Sequence, residues 1–176
     1  MKTTVLTRTV AALALAASGV LVGGVTQPAH AQPPECRDRD LTASYHARGD
    51  AAGHRYGVIK LTNTSGDRVC SVRGYGGLSY VGDGNGTQVG AAATRTPGRV
   101  RTVVLDPGQS VVSRVDEVVA QNYPRSTCRP EHVDGFRVYA PDATRSQYVA
   151  HPTTGCSKPA VHLLAHGPFH RPAHRG

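Results

Sequence analysis

Four cysteines, Cys36, Cys70, Cys128 and Cys156, set the strongest limit on how this 176-residue chain can fold. All four follow a segment with the parts of an export signal, and an even number of cysteines in an exported chain reads as two disulfides. Three pairings can be drawn. The sequential one, Cys36 with Cys70 and Cys128 with Cys156, is preferred, each bridge closing a loop of roughly 30 residues worth about 3–4 kcal/mol on a chain-entropy model. Successive cysteines are separated by 33, 57 and 27 residues, whereas zinc sites bring their cysteines in close pairs. No C-x-x-C is present to form a redox-active pair.

The leader spans residues 1–31. Lys2 and Arg8 make its basic start, Val10 to Val25 is apolar apart from small residues, and Ala29-His30-Ala31 supplies the small residues that precede a cleavage point. Cleavage after Ala31 is expected. The apolar run falls short of the about 20 residues of a spanning helix, so no transmembrane segment is expected once the signal is removed. No cysteine ends the run where lipid attachment would require one, and no paired arginine marks the twin-arginine route.

Removing 31 of 176 residues leaves 145, enough for one domain with a real core. The abundance of glycine (20) and proline (12) suits many turns and few long helices, and β-branched valine and threonine favour strands. His54 to Thr62 alternates, with Ile59 and Leu61 on one face and Lys60 and Thr62 on the other. Further short strands are expected at Leu41 to Ala47, Val69 to Val72, Leu78 to Val81, Thr87 to Thr94, Val100 to Leu105, Ser110 to Val119, Val133 to Tyr139, Ser146 to Ala150 and Ala160 to Ala165. Turn signals separate them every 8 to 12 residues, and no segment has a useful helical period. Arg48-Gly49-Asp50 is read as the start of a turn, and Gln121 to Pro130 as a loop holding Cys128. The expected fold is all-β: a two-sheet, immunoglobulin-like β-sandwich over residues 32–165, stapled by disulfides. Residues 166–176, rich in proline and histidine, are expected to form a flexible tail.

Several of these residues form a recognisable set. Gly53-x-x-Tyr56 is followed by Leu61-x-Asn63-x-Ser65-Gly66, Cys70-x-Val72-x-Gly74-Tyr75 and Leu105-Asp106-Pro107-Gly108-Gln109-Ser110. In this the chain resembles the domain of unknown function 4232 family of secreted and lipid-anchored actinobacterial proteins, over about Cys36 to Ala165. The resemblance implies a compact β-sandwich outside the cell and places Cys128 and Cys156 at the family's later cysteine pair. It carries no established activity and hands over no catalytic residues. The family commonly has proline after the Gly-Tyr pair, where this chain has Gly76. Read from the residues alone, Asn63 and Gly66 shape a turn, Pro107-Gly108 makes another, Gly74 lets the chain bend closely, and Tyr75 caps the core with its hydroxyl outward.

Chemistry is thinly signalled. No G-x-S-x-G elbow exists for nucleophilic hydrolysis, and the cysteines are expected to be oxidised. Asp116 and Glu117 are adjacent, so on a strand they point to opposite faces, and a solvated edge is the expected reading. The glycine-rich bends lack the phosphate-loop pattern. No catalytic residue, cofactor or resident metal site is expected. His162, His166, His170 and His174 recur every four residues, but Pro168 and Pro172 forbid a helix that would stack them. Transition-metal capture by this tail is one alternative function, and an envelope-acting hydrolase is another. Without tryptophan, the stacking candidates are Tyr75, Tyr80 and Tyr123, and no specific nucleic-acid binding is expected.

The formal charge is +8, and loss of Lys2 and Arg8 with the leader leaves +6. Such a surface attracts anionic partners. The leading expectation is a non-catalytic extracellular binding or structural module of the bacterial envelope. Its partner would be an anionic envelope polymer or another surface protein.

Overall fold

The computed structural model describes residues 32–173; the leader and its cleavage point lie outside them, as does His174. Eleven strands run through these residues: β1 (Leu41–Ala51), β2 (His54–Asn63), β3 (Cys70–Arg73), β4 (Gly77–Gly82), β5 (Thr87–Val89), β6 (Thr94–Arg95), β7 (Thr102–Leu105), β8 (Ser110–Val118), β9 (Pro130–Tyr139), β10 (Gln147–Cys156) and β11 (Leu164–His166). The first sheet has the order β1-β2-β8-β11-β6, the second β10-β9-β4-β5, and a small third sheet pairs β3 with β7. All pairings are antiparallel except β11 with β6. The fold is the expected disulfide-stapled β-sandwich.

Burial follows the alternation. Ile59 and Leu61 of β2 and Val111 and Val115 of β8 are buried, and meet Leu78, Tyr80, Phe136 and Val138 of the second sheet in one core. The open edge of β1 is partly closed by a side chain. Gln147 accepts from the Ala43 N–H at 2.8 Å and donates to the Leu41 carbonyl at 2.9 Å, so its amide satisfies an edge that would otherwise offer pairing to another strand.

The disulfides are Cys36–Cys70 and Cys128–Cys156, the sequential pairing. The first ties the lead-in to β3, beside a bridge in which Cys36 N–H donates to Ser71 at 2.9 Å and Ser71 N–H to Pro34 at 2.9 Å. The second joins the end of β10 to a single helical turn, α1 (Arg125–Cys128), within the segment expected to be a loop.

Other boundaries differ from expectation for identifiable reasons. Strand β1 continues through the Arg48-Gly49-Asp50 triplet, with the register shifting between Ala47 and Gly49; the turn falls at Ala52-Gly53, both at positive φ. Residues 87–94 split into β5 and β6 around Gly90, which has a φ of 68°. Strand β10 runs on to Cys156 past a bulge in which His151 and Pro152 oppose the single residue Asp134, and the one extra residue lets the strand absorb the proline. Of the 160–165 segment only Leu164 and Ala165 are in a strand, which runs on to His166.

The expected loose tail is also corrected. Phe169 is buried, its N–H donates to Gly74 at 2.8 Å, and His170 exchanges backbone hydrogen bonds with Val112 at 2.9 and 3.0 Å. The domain therefore extends through His170, because a buried phenylalanine and a backbone bridge outweigh the flanking prolines.

The motif residues hold the turns. Asn63 is fully buried and donates to the carbonyls of Arg68 at 2.7 Å and Leu105 at 3.0 Å, while its oxygen accepts from the Ser65 N–H at 3.1 Å and hydroxyl at 2.6 Å. Its carbonyl accepts from Gly108 N–H at 2.7 Å, which has a φ of 82° in the Pro107-Gly108 turn. One amide thus joins the turn after β2, containing Gly66, to the turn before β8. Gly74 has a φ of 92°, and a Cβ at Gly76 would collide with the Tyr139 carbonyl oxygen. A proline at residue 76 would therefore require the end of β9 to move.

Asn63→Ala is expected to lower unfolding free energy by about 2–4 kcal/mol, since it takes the amide donor from the Leu105 carbonyl and the acceptor from the Ser65 N–H. Urea denaturation would check this; a loss under about 0.5 kcal/mol would mean the turns do not depend on the amide.

Candidate functional site

Two polar constellations lie on opposite faces of β8. The inward one centres on Glu117, 1 % exposed. Its Oε1 accepts from the Tyr45 hydroxyl at 2.7 Å; its Oε2 accepts from the Tyr80 hydroxyl at 2.7 Å and from His151 Nε2–H at 2.9 Å. Glu117 and Tyr45 come from the first sheet and Tyr80 and His151 from the second, so the carboxylate bridges the sandwich. Phe136 stacks between Tyr80 and His151, with ring centroids 5.5 and 4.6 Å away. Gly57 leaves room for the Tyr45 ring, which any Cβ there would strike. The bulge at His151 breaks the alternation of β10 and places the imidazole against this cluster.

Burial alone would raise the Glu117 pKa, but the hydrogen bonds from His151, Tyr80 and Tyr45 outweigh it and hold the carboxyl below the usual range. Burial, reinforced by the Glu117 charge and hydrogen bonds, pushes both tyrosines above theirs. The expected solvated reading of Glu117 is thus corrected. Asp116 and Glu117 do point to opposite faces, but the inward face is the core. The same correction applies to Tyr80, which is 3 % exposed and so offers no stacking surface. Tyr123 packs partly buried against the core.

The outward constellation is a groove of about 860 Å³ across the first sheet. Arg114 and Asp116 of β8, Tyr56 of β2 and Ala165 of β11 lie in it, between the segment 96–103 and the segment 167–171. Both walls are anchored. Tyr75 donates from its hydroxyl to the Thr96 carbonyl at 2.9 Å, Thr96 N–H donates to His166 at 2.9 Å, and the Arg95 guanidinium lies over the Tyr75 ring at 5.3 Å. Gly98 packs on Pro168, where an added Cβ would come within 2.7 Å of the ring. Arg171 donates to the Val104 carbonyl at 2.9 Å. Tyr75 therefore secures a groove wall, and its ring meets His166 edge-on with centroids 6.0 Å apart.

Arg99, Arg101, Arg114 and Arg171 line this groove, all exposed, against one carboxylate, Asp116. Four positive charges less one negative leaves +3. Asp116 is itself engaged, accepting from His54 Nδ1–H at 2.6 Å. Among the described residues, none of the four guanidiniums lies within 4 Å of a carboxylate.

All of these residues except Arg171 fall within residues 36–170, which match the family model described as Domain of unknown function (DUF4232). The chain belongs to the DUF4232 family. No curated protein and no solved structure matches it. In this DUF4232 domain the motif glycines, Asn63, Tyr75 and the cysteines build turns, staples and a groove wall. Among the described residues the tail histidines do not gather: His162 is exposed, His170 bonds the Arg171 carbonyl, and His166 is buried with Nδ1 3.3 Å from Ser113 Oγ. Burial, with the Arg95 charge, lowers the His166 pKa. Among the described residues no group of three His, Cys, Asp or Glu side chains is placed to hold a metal.

Sequence reasoning missed Tyr45, Tyr80, His151 and Glu117 as a set. The usable signal was alternation: Glu117 is in phase with Val111 and Val115.

A carboxyl whose folded pKa is depressed contributes stability above its unfolded value and loses it as pH falls through the folded one. Unfolding free energy is therefore expected to fall as pH drops below about 4.5. Glu117→Gln is expected to flatten that slope and to cost about 2–4 kcal/mol at pH 7. Denaturation across pH 2–7 would check both, and an unchanged acid limb would remove Glu117 as its source.

Proposed function

We propose that this domain is a non-catalytic extracellular binding module that holds an anionic component of the bacterial envelope in the groove over β8. The observation that carries the reading is four exposed arginines converging on one concave surface with a single, already bonded carboxylate. Guanidinium presents a planar fork of donors that suits phosphate and carboxylate oxygens. A rigid sheet with anchored walls is a scaffold for such recognition.

Two features fit the location. Two disulfides suit an oxidising compartment, and no described helix is long and apolar enough to cross a membrane. The non-catalytic part is supported by how the ionisable groups are used. Both oxygens of Glu117 accept from neighbours in the core, and all four cysteines are cross-linked.

The mature domain, incubated with wall, membrane and soluble envelope fractions, is expected to be retained at about 50 mM salt and released near 1 M, where the screening length is about 3 Å. Replacing Arg99, Arg101 and Arg114 together by Glu is expected to abolish retention. No retention on any fraction at low salt, or full retention by the triple variant, would defeat the reading.

A further inference from the structure

We propose that the groove takes an anionic amphiphile, a phosphate ester carrying an apolar tail, rather than a purely charged polymer. This rests on the groove being the binding site. A polyanion needs only a positive surface. Here the guanidiniums accompany an apolar shelf formed by Tyr56, Pro97 and Ala165, with Gly98 and Gly167 also lining the groove.

Three observations favour a tail on that shelf. Tyr56 is 40 % exposed, one of few large apolar side chains left in solvent. Its ring stacks on His54 with centroids 5.9 Å apart, which presents it as a flat wall. The Gly98–Pro168 contact and the Tyr75–Thr96 hydrogen bond hold the walls in place, so little is lost in ordering the site. The volume of about 860 Å³ lies within the usual range for sites that enclose small molecules.

The head is assigned to phosphate by the donors. Arg99, Arg101 and Arg114 make no side-chain hydrogen bond to a described residue, and Arg171 uses one nitrogen on Val104. Several free forks around one concavity suit the multiple oxygens of a phosphate. Free phosphate shares that head chemistry and lacks the tail, so the two separate by experiment.

Calorimetry on the mature domain would compare decyl phosphate below its micellar concentration, ethyl phosphate, inorganic polyphosphate and decyl maltoside. Each fully buried methylene is worth roughly fourfold in affinity, so decyl phosphate is expected to bind at least about 100-fold more tightly than ethyl phosphate even if the tail is only partly sheltered. Decyl maltoside, which lacks the charge, is expected to give no heat. Tyr56→Ser is expected to weaken decyl phosphate while leaving ethyl phosphate unchanged, and Arg101→Ala with Arg114→Ala to weaken both. These side chains are exposed, so circular dichroism of the variants is expected to match the parent. Equal affinity for decyl and ethyl phosphate, or equal binding of decyl maltoside, would overturn the proposal. If polyphosphate binds and decyl phosphate binds no better than ethyl phosphate, the anionic groove stands and the amphiphile falls. If no phosphate compound binds, the amphiphile falls, and retention on envelope fractions alone decides the anionic groove.

Discussion

Strand β8 serves two environments at once, and the two-residue period of a strand is what allows it. Val111, Ser113, Val115 and Glu117 turn inward, while Arg114 and Asp116 turn outward into the groove. A slip of one residue would exchange the sets, placing Arg114 and Asp116 in the core and Glu117 in solvent. Pairing holds the register on both sides: β2 from His54↔Val118 to Thr62↔Ser110, and β11 from Leu164↔Glu117 to His166↔Val115, continued by the Val112–His170 bridge.

Glu117 is the most demanding residue in that register. Taking an isolated carboxylate out of water costs several kcal/mol, and the three donors offset this only when both sheets are in place. Only replacing the whole set, Glu117 together with its three donors, by apolar side chains of similar volume would give comparable or greater stability, because removing the carboxylate alone strands those donors. What the carboxylate adds is a penalty on every other packing, because separating it from Tyr45, Tyr80 and His151 leaves a buried charge without partners. Phe136, held between Tyr80 and His151, sets the spacing of two of those donors.

The parts of this arrangement that were legible in the sequence are the local ones. The alternation of Ile59 and Leu61, the turns at Asn63 and Pro107-Gly108, and the sequential cysteine pairing all follow from short-range pattern or loop size. Asn63 was read as a turn former, but its bond to Leu105 joins residues 42 apart and depends on β7 lying beside β3. The segment after Ala165 was misread because Pro168 forbids a helix and says nothing against an extended edge; Phe169 was the contrary signal. The buried cluster could not be assembled in advance, since its members come from four strands and His151 faces inward only through a bulge. The groove was hidden for the same reason. Its arginines come from three separate segments, 99–101, β8 and residue 171, and Arg171 joins the others because residues 167–171 fold back along β8.

That folding back links the core to the outer surface. Phe169 enters the core and bonds Gly74, while its neighbours Pro168 and His170 line the groove. Tyr75, next to Gly74, fixes the opposite wall through Thr96. The two walls are thus tied to adjacent residues of one bend, so the positions of Arg99, Arg101 and Arg114 are set by the surrounding frame, and only Arg171 adds a side-chain tie of its own, to Val104. This matters for affinity. Exposed guanidiniums act across water, and at about 0.15 M salt their attraction is screened beyond roughly 8 Å. Charge can then draw an anion to the surface, but retention depends on short-range contact. Under the proposed reading the shelf of Tyr56, Pro97 and Ala165 is where that contact is available, so the charge gathers the anion and the apolar part of the groove discriminates among anions.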